Sequence, residues 1–287
     1  MLYICLISGI DFKMLKDQTY CDITVVIPTH NSEKFVIETI MSVINQSLKP
    51  KEIIIIDDHS IDNTIDVIEG IFQKQGIVNH RIFKQKKLSP GAARNKGIQE
   101  AKTKWISFLD SDDIWFQNKL EKVYDWILKN PQSNFFCNDE IEIGLNKKEK
   151  LNNYFSDFDF KKSISGQLFK KNYFSTSAIT CSRKLLMEFG GFNESLSSAQ
   201  DYELWLRISP KLNPIFICQP LGYYVMRKGN ISTTQYWKRL KNIIFIKRIH
   251  RSKVSKIIFI SNLVKVILHH LLLPFLIFLK NRITSKL

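Results

Sequence analysis

Four consecutive isoleucines, Ile53, Ile54, Ile55 and Ile56, run straight into Asp57 and Asp58. Side chains of a strand alternate between faces, so an unbroken β-branched run suits a strand covered on both sides, as in the interior of a parallel sheet. The flanking chain repeats the theme. Residues 23–28 form a second β-branched run closing on Pro28, and 105–109 form a third apolar run. Between the strands, Phe35, Ile37, Ile40, Met41 and Ile44 recur at helical spacing, followed later by Ile65, Val67, Ile68, Ile71 and Phe72. Residues 29–32 are placed to cap the first helix, Asp62 or Asn63 the second, and Lys49-Pro50 reads as the break between helix and strand. A strand near 81–83 and a helix opened by Gly91 complete a βαβαβαβ order. The expected fold is α/β: a doubly wound, mostly parallel sheet with flanking helices.

Charge divides the chain further. Of 42 Lys and Arg residues, 16 follow Glu203, the last acidic residue, and all 27 acidic side chains lie at or before it. A near-neutral body therefore carries a basic helical tail. The expected organisation is an N-terminal extension over 1–20, a catalytic domain over 21–232 with halves 21–115 and 116–232, and the tail over 233–287. The first ten residues are apolar but lack a basic leader and are too short to span a bilayer, and Met14 is an alternative start. The five cysteines are scattered without close pairs, which fits reduced thiols in a cytoplasmic protein.

In open α/β sheets, ligands bind outside the carboxyl ends of the strands. Polar residues cluster there in this sequence: Thr29-His30-Asn31, Asp57-Asp58, and Asp110-Ser111-Asp112-Asp113. Three carboxylates in four residues repel one another unless a cation sits among them. Hard oxygen ligands select Mn²⁺ or Mg²⁺, which can bridge a diphosphate. Taken alone, the cluster reads equally as a capped turn before a helix.

Four motifs in order, residues 25–31, 52–60, 89–97 and 108–113, closely resemble the family 2 glycosyltransferases. The resemblance implies a GT-A fold, a nucleotide-diphospho-sugar donor (UDP-sugar favoured) and inversion at the anomeric carbon. It implies that Pro28, His30 and Asp58 line the base pocket beside Asn31, Asp58 accepting from a ring N–H. It places Asp110 toward the ribose or the metal, Asp112 as the main metal ligand and Arg94 near the nucleotide. His30 stands where the family often has Tyr; a flat imidazole also packs on a base.

A second block carries Thr176-Ser177-Ala178 before a predicted helix, then Gly190-Gly191-Phe192, then Gln200-Asp201-Tyr202-Glu203-Leu204-Trp205. An inverting displacement needs one base on the acceptor side to take the hydroxyl proton. By resemblance Asp201 is that base, with Glu203 in reserve, since Gln200 replaces the usual preceding Glu. A helix-capping role is the other reading of Asp201. Trp115, Gln200 and Tyr202 are candidates for the sugar or acceptor pocket. Asp139-Glu140 reads as a solvated strand edge. Arg227 or Ser232 is expected near the diphosphate.

The tail reads as a basic helix over 237–256, then a mostly apolar stretch over 257–279 interrupted by Lys265 and Pro274. Asn262, Lys265 and His269 share a helical stripe, which favours a helix lying in an anionic membrane surface over one that crosses or re-enters the bilayer, or one that packs on the rest of the chain. The expected location is the cytoplasmic face of the membrane, where lipid-linked saccharide acceptors of lipopolysaccharide or capsule assembly reside. Nucleic acid is disfavoured as a partner, because the cationic segment is interleaved with aliphatic runs rather than exposed aromatics and glycines. The competing reading is a sugar-nucleotide-binding scaffold that has lost catalysis, for which Gln200 speaks.

Overall fold

The computed structural model describes residues 19–86, 88–156, 158–227 and 236–268. The nucleotide half alternates β1 (Tyr20–Thr29), α1 (Val36–Ile44), β2 (Lys49–Asp57), α2 (Thr64–Lys74), β3 (His80–Lys84), α3 (Pro90–Glu100) and β4 (Trp105–Phe108). The second half adds β5 (Ile114–Trp115), α4 (Lys119–Lys129), β6 (Phe135–Ile143), β7 (Glu149–Asn152), α5 (Ile164–Lys170), β8 (Ile179–Ser182), α6 (Arg183–Glu188), α7 (Gln200–Ile208) and β9 (Pro214–Val225). Helix α8 (Tyr236–Ile249) and a helical segment over 256–268 follow.

Among the described residues the strands form one nine-stranded sheet in the order β3-β2-β1-β4-β8-β6-β9-β5, with β7 on β6. The pairs β1/β2, β1/β4, β2/β3 and β6/β9 are parallel. Strands β5, β7 and β8 run against them, so the sheet is mostly parallel, as expected. The isoleucine run explains the layering. Ile54 and Ile56 point into one core with Ala93, Ile98 and Trp205, while Ile53 and Ile55 point into the other with Val36, Ile40, Ile65 and Leu120. Burying four such side chains contributes on the order of 1.5–3 kcal/mol each.

Pro50 does not break the pattern. It lies inside β2 opposite Cys21, where the register shifts before Thr24, and such irregular ladders tolerate a residue without an N–H. Asp139 and Glu140 are buried rather than solvated, because β9 covers β6 on one side and Tyr154 covers the pair. A strand, β8, also intervenes between Thr176-Ser177-Ala178 and the expected helix, now α6.

Two glycines set the interhelix geometry. A Cβ at Gly97 would lie 2.3 Å from Val26, so only glycine lets α3 seat on β1. Gly191, at φ +68°, would place a Cβ 2.2 Å from Oδ1 of Asn95. Asn95 uses that site to accept from Phe192 N–H at 2.7 Å and to donate to Phe192 C=O at 2.9 Å. This couples α3 to the turn that leads toward α7.

The tail begins as part of the domain. Leu240 and Ile246 of α8 are buried, as are Lys247 and His250. Segment 256–268 seats Phe259 against Phe169, and Asn262 donates to Lys170 C=O at 3.4 Å. Asn262 thus faces the domain, not water. The opposite face carries Ile257, Ile260, Val264 and Leu268, all exposed and within about 80° of one another on the helix, beside exposed Lys256 and Lys265. Among the described residues no helix is long and apolar enough to cross a membrane. His269, Pro274, the remainder of 257–279, Ser232 and the extension through residue 18 lie outside the described residues.

Candidate active site

The carboxyl ends of β1, β2 and β4 meet at one edge of the sheet. Asp57 ties two of them together: it accepts from Thr29 Oγ1 at 3.3 Å and from Ser60 N–H at 3.0 Å. That anchors a loop in which Asn31 and His59 both take left-handed backbone conformations, at φ 50° and 67°. Asn31 Oδ1 accepts from Ile61 N–H, and Asn31 N–H donates to Ser60 Oγ, both at 2.9 Å. Asn31 is therefore a brace for this loop.

Pro28 pairs with Ile56 in the β1/β2 ladder, one residue before the loop. Asp58 is buried beneath it. Its Oδ1 accepts from Leu88 N–H at 2.8 Å and Gln85 Nε2 at 2.9 Å, which holds the carboxylate in one orientation with Oδ2 available to a donor. His30 Nδ1 is buried with no partner among the described residues, whereas its Nε2 lies 3.4 Å from Asn31 Nδ2. Buried polar atoms are nearly always paired, so this orphan marks a surface that a ligand can satisfy.

The loop after β4 is wired at several points. Thr39 Oγ1, buried in α1, lies 2.8 Å from both Ser111 C=O and Asp113 C=O. Ser32 and Ser111 share a 2.8 Å hydroxyl bond. Asp113 turns inward and is almost fully buried. It accepts from Ser177 Oγ at 2.5 Å and Val225 N–H at 2.9 Å. Ser177 Oγ also accepts from Asp110 N–H at 3.1 Å. Ser177 was not singled out as a site residue, and its sequence signal is slight, since a serine before a strand has many local uses.

With Asp113 pinned inside, Asp110 and Asp112 are left for the cleft. Arg94 Nη2 donates to Asp110 Oδ1. Burial, with Asp110 next, pushes the Asp112 carboxyl up to about 6, against the positive charges of Arg227 and Arg94. Arg227 sits 4.6 Å over the Phe35 ring with Nη2 3.4 Å from Asp112 C=O, where the sequence placed a diphosphate contact. Among the described residues no group of three His, Cys, Asp or Glu side chains converges to cage an ion. One or two carboxylates with open positions fit Mn²⁺ or Mg²⁺ that takes its other ligands from substrate phosphates and water.

Asp201 lies in the first turn of α7. Its Oδ2 accepts from Asn172 Nδ2 at 2.9 Å, and burial raises its pKa against the opposing charges of Arg94 and Arg239. Arg94 thus acts electrostatically on Asp112 and on Asp201, from motifs about ninety residues apart. Gln200 packs on α3 at Gly91, where a Cβ would lie 2.9 Å from its Cδ, and donates to Leu196 C=O at 2.5 Å.

The other candidates point elsewhere. Both oxygens of Glu203 are occupied: Arg207 Nε and Nη2 donate at 3.0 and 2.8 Å, and His250 Nε2 lies 3.2 Å away. Tyr202 is buried with its hydroxyl donating to Phe169 C=O at 2.9 Å. Trp115 is buried with Nε1 donating to Ser177 C=O at 3.0 Å. Beside it Lys119, fully enclosed, donates to Asn138 Oδ1 at 2.6 Å and to the same carbonyl at 3.0 Å. Burial lowers its pKa to about 8. Burial likewise raises Glu140, which accepts from Tyr154 Oη at 2.7 Å.

The sheet order, the carboxylate loop at its edge and the four motifs define a GT-A-type glycosyltransferase, and residues 24–190 match Glycosyl transferase family 2. The chain belongs to that family. It is 33% identical over 197 residues to an uncharacterised glycosyltransferase of Rickettsia conorii, a match covering 66% of this chain and 30% of the relative's length. It is 29% identical over 225 residues to WfgD of Escherichia coli, a UDP-Glc:α-D-GlcNAc-diphosphoundecaprenol β-1,3-glucosyltransferase, covering 76% of this chain and 82% of that one. Among solved structures, Staphylococcus aureus TarS residues 1–349 in complex with UDP-GlcNAc superimpose at TM-score 0.64 and 19% identity, covering 86% of this chain and 72% of that fragment. The mannosyltransferase PcManGT of Pyrobaculum calidifontis, in complex with GDP-Man and Mn²⁺, gives 0.64 at 14% identity, covering 87% and 69%. These two likenesses concern the fold.

Proposed function

We propose that this chain transfers a sugar, with inversion, from a nucleoside-diphosphate sugar to a saccharide hydroxyl. The supporting observation is Arg94, which bonds Asp110 of the donor motif while its charge reaches Asp201 of the acceptor motif. Asp58 would accept from a ring N–H of the base, His30 would pack beside it, and Arg94 and Arg227 would flank the diphosphate. Asp112, with Asp110, would hold Mn²⁺ or Mg²⁺, which offsets charge on a departing nucleoside diphosphate. Asp201 would take the proton of the attacking hydroxyl. Glu203 is tied into its ion pairs and is not assigned a chemical role.

Similarity to WfgD over most of both chains supports a UDP-hexose donor and a lipid-diphosphate-linked saccharide acceptor. The exposed apolar face of segment 256–268, bordered by Lys256 and Lys265, fits an anionic membrane surface where such an acceptor resides. Gln200 is explained by its packing on Gly91, so it lends no weight to a scaffold without activity.

The test is transfer from UDP-glucose or UDP-N-acetylglucosamine to a synthetic polyprenyl-diphosphate N-acetylglucosamine with Mn²⁺. Asp201→Asn should lower kcat by roughly 10²–10⁴-fold while UDP binding persists. Unchanged turnover in that variant overturns the base assignment. For the membrane face, Ile260→Glu combined with Val264→Glu should abolish binding to vesicles containing anionic phospholipid. Equal binding by parent and variant overturns that part.

A further inference from the structure

The helix that carries Asp201 begins without a side-chain cap. Ala199 precedes it in the left-handed conformation, at φ 57°, and offers no side-chain cap to the first turn. A non-glycine residue is strained there and persists only when its surroundings hold it. Those surroundings come from the tail. Asn242 of α8 donates to Ser198 C=O at 3.2 Å and to Ser198 Oγ at 3.0 Å, one residue before Ala199. Lys247 Nζ, one turn further along α8, donates to Tyr202 Oη at 2.9 Å and Phe169 C=O at 2.6 Å. His250 reaches Glu203 at 3.2 Å. Tyr202 and Glu203 are the two residues after Asp201, and their side chains are buried on the far side of α7.

A second link leads on. Arg207, paired with Glu203, donates to Gly191 C=O at 2.7 Å and to Phe189 C=O. That turn grips Asn95, the neighbour of Arg94.

We propose that Lys247 and His250, with Asn242, are positioning residues: the tail clamps α7 from behind and sets where Asp201 stands relative to Arg94. The substrate contact itself belongs to Asp201, so the functional half of this inference rests on the base assignment above. The structural half does not. Glycosyl transfer in this chain then depends on a helix outside residues 24–190, which match the family.

The experiment uses the full chain with Lys247→Met, His250→Leu and the conservative His250→Gln, whose amide can still donate to Glu203. Backbone hydrogen exchange over 200–208 should accelerate by roughly tenfold or more in Lys247→Met and His250→Leu, with β1 and β2 unchanged. In the transfer assay above, kcat should fall on the order of tenfold while donor KM stays within about twofold, and His250→Gln should recover most of it. Unchanged exchange over 200–208 overturns the clamp. So does equal loss of kcat and donor affinity with uniform acceleration across the sheet, which would mark general destabilisation. If Asp201→Asn keeps full turnover while the exchange result stands, the base assignment fails and the clamp survives as a structural contact.

Discussion

Arg94, buried in α3, donates to Asp110 of the loop after β4, and its Nε has no partner among the described residues. One guanidinium thus offsets a carboxylate of the donor loop and retains an unused donor. Its plane lies 5.4 Å over Phe192, which fixes it against the turn gripped by Asn95. Arg94→Met should raise the donor KM by tenfold or more and lower stability by about 1–3 kcal/mol, since Arg94 is buried but its partner Asp110 is partly solvated. Titration with UDP and urea denaturation measure the two effects separately.

Asp112→Asn should fold normally and lose the Mn²⁺-dependent thermal stabilisation by UDP expected of the parent. Without ligand it should melt no lower than the parent, since a carboxylate beside Asp110 and Asp113 is removed. Scanning fluorimetry with UDP, with and without Mn²⁺, reads both.

Burial pushes the carboxyls of Asp112 and Asp139 up to about 6. Their folded-state pKa exceeds the unfolded value of roughly 3.9, so the folded chain binds more protons between those values. These groups therefore contribute stability that is present on the acid side and is lost as pH rises through about 6. A divalent cation with UDP reverses the preference by selecting the ionised Asp112. The thermal shift from Mn²⁺-UDP should be small at pH 5 and several-fold larger at pH 7.5. A shift of equal size at both values would contradict it.

Ser177→Ala removes the donor to Asp113 and the acceptor of the Asp110 N–H. Each stranded buried group costs about 1–3 kcal/mol, and Ser177→Thr should restore part of that. Because both bonds hold the carboxylate loop, UDP-Mn²⁺ affinity should fall alongside stability. Calorimetric titration checks it.

Gly191→Ala meets Asn95 Oδ1 and a left-handed backbone at once. It should destabilise the protein by about 1–3 kcal/mol and loosen the α3–α7 connection. The comparison is Gly190→Ala, where nothing lies within 4 Å of the added carbon and only the backbone cost remains.

The alternation of β-branched runs with helix-spaced apolar residues was sufficient, without coordinates, to give the wound sheet and to place polar residues at its carboxyl edge. That follows because strand and helix periods are local, and the handedness of βαβ units leaves few ways to assemble them. The roles expected of Asp110, Asp112 and Arg94 come from the resemblance to the family 2 glycosyltransferases, because Arg94 lies within a helix and no strand period marks it.

What the sequence could not separate is the direction in which neighbouring carboxylates turn. Residue type alone does not separate Asp110, Asp112 and Asp113; Ser177, in the turn before β8, and Val225 of β9 draw Asp113 inside. Glu203 and Asp201 share a helix, yet Arg207 of that helix and His250 of the tail engage one, while the other bonds Asn172 and feels the charge of Arg94. The tail itself looked like an appendage because its charge is uncompensated nearby in sequence. Its partners, Phe169, Tyr202 and Glu203, lie tens of residues upstream, and burial against them arises only when the chain is folded.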